Sequence, residues 1–280
     1  MTEQKVQALF VVGRHRSGTT WVSNLLAAHP DVFTPQHEQH HGQHESAYFS
    51  SLVPYCRNGR DEGDRQAVRA IFERSDFWHL LFPERPPELD IEQLGLHGYF
   101  GAAMEQAASR RDCSHWLEKT PAHTVFLREL LTHFPEARFI AVQRDRLEAA
   151  RSNVHRSGNP ARMRLWFWAA IWGEVYRKIL HANRDRVLLL AYEDLQADFT
   201  GEVRRLYAHA GLASDRVHAS TWAPDSSFAA EPPRVARRFV VIVRLVAWLF
   251  RALPAAWCER VAQAWIRRRL PLPPWFFRVF

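Results

Sequence analysis

The run ALFVVG (8–13), closed by a glycine and followed at once by RHRSGTTWVSNLLAAHP, restricts this chain more than any other stretch. Five apolar residues ending in Gly13 read as a strand buried on both faces, the pattern of a parallel sheet. TTWVSNLLAAHP (19–30) reads as a helix stopped by Pro30. A strand, a glycine-bearing loop and a helix N-terminus together form an anion cradle, because loop N–H groups converge and the helix dipole favours negative charge.

The same alternation runs down the chain. DVFT (31–34) reads as a second strand, SHWLEK (114–119) and ARFIAVQR (137–144) as further strands, and RVLLLAYEDL (186–195) as the last. Helical spacing is read at 64–75, 96–111, 122–135, 146–155 and 161–182, and from 195 through Tyr207. Residues 35–63 are polar, His-rich and irregular by pattern. Apolar strands alternating with helices predict an α/β domain with a P-loop-type parallel sheet flanked by helices, spanning 1–233. Residues 234–280 are expected to form a basic, apolar helical extension. A hydrophobic content of 47% supports a full core. The opening apolar run is short and reads as a strand, not as a secretory leader. Cys56, Cys113 and Cys258 are dispersed and odd in number, which fits a reducing compartment and a cytoplasmic location.

Gly13 and Gly18 have the spacing of a Walker A loop, but Thr19 and Thr20 stand where a nucleotide kinase places Lys and Ser/Thr, and the cation is Arg16 inside the loop. A second phosphate motif lies at FIAVQR, a strand ending in Arg144, with Ser152 eight residues on in the next helix. A guanidinium can grip phosphate in a bidentate manner and a hydroxyl adds a donor.

R-S-G-T-T-W after an apolar strand resembles the 5′-phosphosulfate loop of sulfotransferases that use 3′-phosphoadenosine 5′-phosphosulfate (PAPS). Arg at 16 and the following LLAAHPDV are similar to the tyrosylprotein and bacterial branches, whereas cytosolic members usually carry Lys at that place. The resemblance extends over residues 9 to about 210. It implies that Arg16, Ser17, Gly18, Thr19, Thr20 and Trp21 hold the 5′-phosphosulfate, and that Arg144 and Ser152 bind the 3′-phosphate. WLEKTP (116–121) resembles the segment whose lysine reaches the transferring sulfuryl group, which implies that role for Lys119. LLLAYEDL resembles a strand end whose Tyr192 lines the nucleotide pocket. The implied reaction is sulfuryl transfer to a hydroxyl or amine acceptor, with no metal required. The alternatives are a P-loop kinase or NTPase, for which Asp145 is a candidate metal ligand, and a nucleotide-binding protein without catalysis.

HEQHH (37–41) fits the zinc-protease pattern H-E-x-x-H. Pro35 and Gly42 bracket it too closely for the long helix such a site needs, and no third-ligand extension follows. A non-catalytic metal contact by His40, His41 or His44 stays open. Under the sulfotransferase resemblance this loop supplies the general base. Counting without gaps from Arg16, the family's glutamate position falls on His37, with Glu38 beside it. Glu38 is the first choice and His37 the second.

The formal charge of +7 is unevenly placed. From Arg234 onward ten arginines face one acid, Glu259, a net +9 that leaves the preceding residues at −2. A uniformly basic nucleic-acid binder is not indicated. ARRFVVIVRLVAWLFRAL (236–253) places Arg237, Arg244 and Arg251 on one stripe among Val, Ile, Leu, Phe and Trp. Arg244 interrupts the apolar run before it reaches the roughly 18–20 residues of a spanning helix. The tail therefore reads either as a helical hairpin packed on the catalytic domain or a second subunit, or as a peripheral contact with an anionic membrane, and the second is the expectation carried forward.

Overall fold

Leu9, Phe10, Val11 and Val12 are completely buried, and they form the centre of β1 (Gln7–Gly13), the middle strand of the molecule. The computed structural model describes residues 6–37, 42–56, 65–149, 152, 162–213 and 237–269. After β1 come α1 (Thr19–Ala27), β2 (Val32–Phe33), a small hairpin of β3 (Gln36–His37) and β4 (Gly42–Gln43), a π-helical turn at Tyr48–Leu52, and α2 (Val53–Cys56). Then follow α3 (Arg65–Phe72), α4 (Asp76–Leu81), α5 (Ile91–Ser109), β5 (His115–Lys119), a 3₁₀ turn at Pro121–Phe126 and α6 (Leu127–His133). The remainder is β6 (Arg138–Gln143), α7 (Arg162–Ala182), β7 (Val187–Ala191), α8 (Tyr192–Ala197), α9 (Phe199–Ala210), α10 (Arg237–Ala252) and α11 (Ala255–Arg269).

Five strands make one parallel sheet in the order β2-β5-β1-β6-β7, the α/β architecture expected from the alternating pattern. Side chains of β1 alternate between two cores. Phe10 and Val12 join α3, α4, α5, α6, α7 and α11 on one face, while Leu9 and Val11 join α1, α8 and α9 on the other. On the first face Phe10 stacks on Phe139 at 4.8 Å and meets Trp116 edge-on at 5.2 Å.

Four expectations change in the structure. The helix read at 122–135 splits into a 3₁₀ turn and α6. Pro121 opens that turn, and Thr124 is pinned to β1: its hydroxyl accepts from the Gly13 N–H at 2.8 Å and lies 2.9 Å from the carbonyls of both Gly13 and Pro121. The strand read at 186–195 ends at Ala191, because Glu193 and Asp194 favour the first turn of a helix. The helix read from residue 96 begins at Ile91, with a break at Gly95 (φ 67°, ψ 175°) that explains why regular spacing started only beyond it. Residues 35–63, read as irregular, contain the β3–β4 hairpin, the π-helical turn and α2.

The sheet has one consequence for the site. In register, Val11 lies beside Lys119 and Gly13 beside Val142. The loop after β1, the end of β5, the residues after β6 and those after β7 therefore meet at one edge, the carboxyl edge where open α/β sheets bind ligands.

Candidate functional site

The loop from Gly13 to Gly18 is held in a shape that only its particular residues permit. Gly13 has φ 152°, and a Cβ there would stand 2.5 Å from the Val142 carbonyl oxygen. The Ser17 hydroxyl is buried and donates between the carbonyls of Arg14 (2.6 Å) and Val142 (3.1 Å), and the Ser17 N–H donates to Arg14 O at 3.1 Å. Ser17 thus spends its donors on closing the loop, where the family resemblance had implied a direct phosphosulfate contact. Arg16 stands in the left-handed region at φ 72°, a conformation that costs a non-glycine residue about 1–2 kcal/mol. Gly18 caps α1 with φ 95° and no side-chain cap, so the first-turn N–H groups have no side-chain acceptor at that position. Thr19 is buried, and Thr20 is partly exposed in that first turn.

A second wall comes from β6, β7 and their following turns. The Arg144 guanidinium lies 4.3 Å over the Tyr192 ring. Trp21 meets the same ring edge-on at 5.5 Å, and its buried indole N–H has no hydrogen-bond partner among the described residues. A Cβ at Gly18 would stand 2.5 Å from Tyr192 Cδ2. Arg16 Nε donates to Ser152 Oγ at 3.1 Å, joining the two phosphate motifs across 136 positions of sequence. Gly18→Ala is expected to lower stability by about 1–3 kcal/mol, a Tm drop of several degrees, from the left-handed backbone and the ring clash together. Adding Tyr192→Ala should recover the steric part in a thermal melt. An unchanged Tm in the single variant would contradict this packing.

Beside these residues a cleft of about 160 Å³ is lined by Arg14, Arg144, Arg146, Arg177, Glu174 and Tyr176 among others. Burial pushes the Arg14 guanidinium down to about 10, the mark of a cation held in a site short of counter-charge. Glu174, almost fully buried on α7, receives Arg146 and Arg177, the latter at 3.0 Å. Four arginines against Glu174 and Asp145 leave an excess of positive charge next to the loop, suited to an anionic ligand. Asp145 itself acts as a cap: its Oδ1 accepts from the N–H groups of Leu147 (2.8 Å) and Glu148 (3.0 Å). Arg14, Arg146, Glu174 and Arg177 stand in no recognisable sequence motif.

At the end of β5, Lys119 is buried and donates to Glu45 Oε1 at 2.6 Å. Burial pushes the Glu45 carboxyl up, but Lys119 and His15 outweigh it, and the net shift is downward. Next to it Glu118 is fully enclosed. It accepts from Ser46 Oγ (2.7 Å), Thr120 Oγ1 (2.6 Å) and His123 Nδ1 (3.0 Å). His123 Nε2 accepts from the Phe49 N–H at 3.2 Å, which puts the ring proton on Nδ1. The segment 44–49 is thereby clamped to 118–123.

HEQHH is not a helix at its first residue. His37 belongs to β3 and pairs with Gly42 of β4, so the geometry needed for two zinc-binding imidazoles one turn apart is absent at that residue. Glu38, His40 and His41 lie outside the described residues, and of His37 only the backbone is described. His44 is buried edge-on against Phe77 at 6.0 Å. A separate trio, His97, Glu129 and His133, has donor atoms within 4.8 Å of one another. The two imidazoles stack in parallel at 3.7 Å, so one ion cannot lie in both ring planes unless His133 turns.

A family model described as the sulfotransferase family matches residues 8–216. Two curated mycobacterial proteins, each named omega-hydroxy-beta-dihydromenaquinone-9 sulfotransferase Stf3, from Mycobacterium bovis and Mycobacterium tuberculosis, are 26% identical over 243 residues. That alignment takes in 73% of this chain and 62% of each relative, so the chain spans under two thirds of their length. Among solved structures, the sulfotransferase STF9 from Mycobacterium avium is 20% identical, with 76% of this chain and 67% of that one covered at a TM-score of 0.45. A sulfotransferase from Alicyclobacillus acidocaldarius is 16% identical, covering 90% and 98% of the two chains at a TM-score of 0.46.

Proposed function

This chain belongs to the sulfotransferase family, and we propose that it moves a sulfuryl group from PAPS to an acceptor hydroxyl or amine by in-line transfer. The observation that carries this reading is the Arg16–Ser152 hydrogen bond, with Arg144 over the Tyr192 ring and that ring against Gly18, which unites both phosphate motifs at one sheet edge. The residues fit the cosubstrate. Gly18 lets the Tyr192 ring pack directly on the loop, Trp21 holds a buried donor without a partner among the described residues, and the adjoining cleft is rich in arginine. PAPS, when bound, supplies an activated sulfuryl group on a phosphate leaving group.

Arg16 and the first-turn N–H groups of α1 hold the 5′ end, and Arg144 with Ser152 holds the 3′-phosphate. Lys119 stabilises charge as it develops on the sulfuryl oxygens. Glu45, the carboxylate placed against Lys119, takes the acceptor proton. Its downward shift depends on the Lys119 ammonium, so drawing that ammonium toward the sulfuryl oxygens lets burial raise Glu45 and strengthens it as a base. Glu38 and His37 remain the rival candidates for that role. The curated relatives are named for a hydroxylated menaquinone, and an apolar alcohol is the acceptor class we favour.

The test uses adenosine 3′,5′-bisphosphate. It should bind in the micromolar range without magnesium and raise Tm by ligand linkage. Arg144→Ala should weaken that binding by about 1.5–3 kcal/mol, the worth of a charge-assisted hydrogen bond. Arg144→Lys should recover little, because it loses both the fork and the stacking on Tyr192. Stabilisation by ATP with magnesium, and none by the bisphosphate, would turn the assignment toward a P-loop kinase or NTPase.

A further inference from the structure

α10 and α11 have two unlike faces. The inner face packs on α7 and reaches the main core through Cys258 and Ala262, with Phe250, Leu253 and Ile266 partly buried behind them. Trp265 lies 4.8 Å from Trp172, Gln263 donates to the Val125 carbonyl at 3.1 Å, and Glu259 pairs with Arg128 at 3.1 Å. Lys178 of α7 also donates to the Leu253 carbonyl between the two helices.

The outer face is apolar. Val241, Ile242, Leu245, Trp248 and Leu249 recur at the spacing of one helical stripe, and Trp257 and Val261 follow four residues apart on α11. Leu245 is 58% exposed and Trp248 65%. Of the exposed large hydrophobic residues among the described ones, only Leu94 lies elsewhere. A patch so concentrated marks a contact surface. Arg244, Arg260 and Arg267 are exposed on the same two helices, and their one acid, Glu259, is turned inward to Arg128.

We propose that α10 and α11 lie in the plane of an anionic membrane surface, with the apolar stripe at the acyl boundary and the exposed arginines among the headgroups. Charge decides between occupants. A second copy of the chain would bring three arginines against three with no acid on the described outer faces, whereas anionic lipid meets all of them. Crossing is excluded for these helices, since neither is long and apolar enough to span a bilayer. α7 stands between the pair and the arginine-lined cleft, giving Trp172 and Lys178 to one side and Glu174, Tyr176 and Arg177 to the other. The docked bilayer is then one helix away from the site.

The full chain is co-sedimented with vesicles of phosphatidylglycerol and phosphatidylcholine in equal parts, and with vesicles of phosphatidylcholine alone. Each arginine near an anionic surface is worth about fivefold in affinity, so binding to the mixed vesicles should exceed the neutral ones by about a hundredfold at low salt and fall as salt is added. Leu245→Glu with Trp248→Glu should abolish pelleting. Arg244→Gln, Arg260→Gln and Arg267→Gln together should reduce it to the neutral level. All five side chains are exposed, so circular dichroism and bisphosphate binding should be unchanged, and the arginine triple variant decides should the double one misfold. The proposal is overturned if the full chain stays in the supernatant with anionic vesicles. It is equally overturned if sedimentation velocity shows a dimer that Trp248→Glu converts to monomer.

Discussion

Glu45→Gln is expected to lower turnover by about 10²-fold or more while bisphosphate affinity stays within about twofold of the parent. The substitution preserves shape and an acceptor oxygen for Lys119, so the buried ammonium keeps a partner, and only the charge and basicity are lost. A residue that merely positioned Lys119 would behave differently: its loss would weaken bisphosphate binding, and the acid limb of the pH–rate profile would persist. If Glu45 is the base, that limb disappears in the variant. Lys119→Met should lower turnover by a similar or larger factor, because it removes a cation aimed at developing charge in a dry site. Full turnover in Glu45→Gln, together with loss in Glu38→Gln or His37→Ala, would return the role to the loop residues favoured by counting along the chain.

Glu118→Ala is expected to cost about 3–5 kcal/mol, because buried donors left unsatisfied cost about 1–3 kcal/mol each. It strips the acceptor from Ser46, Thr120 and His123 together and leaves three donors in a closed core. It also frees the chain on both sides of Lys119, so residual folded protein should show weaker Lys119-dependent activity. Burial pushes the Glu118 carboxyl up, but His123 and the hydroxyl donors outweigh it, and the folded value lies below the ordinary 4.5. A depressed carboxylate stabilises the fold above its unfolded value and loses that contribution as pH falls through the folded one. Glu45 shifts in the same direction. Urea unfolding at neutral pH and at a series of values below 4.5 should show the parent losing stability with acid, and Glu118→Ala starting lower with a shallower decline. Equal slopes would mean that the Glu118 carboxyl titrates alike in the folded and unfolded chain.

The motifs that carry the family were legible because each is local. ALFVVG followed by RHRSGTTW encodes strand, loop and helix within about twenty residues, and Gly13 and Gly18 are the residues its backbone angles require. FIAVQR and Ser152 were legible for the same reason. The proposed base, Glu45, was not legible from spacing. Counting without gaps from Arg16 ignores the β3–β4 hairpin and its connection, and the carboxylate set against Lys119 is Glu45, within the GQHES stretch.

The alternation of strand and helix, the family and the cations of its two phosphate motifs are written locally, because periodicity, glycine placement and short spacing act within a few residues of chain. The folded chain alone brings distant groups together: Lys119 with Glu45, Glu118 with Ser46, Arg146 with Glu174, and the covered face of α10 and α11 with α7. The Lys119–Glu45 pair joins positions 74 residues apart. Such pairings exist only because a parallel sheet brings the carboxyl ends of β1, β5, β6 and β7 to one edge and the helices around it exclude water.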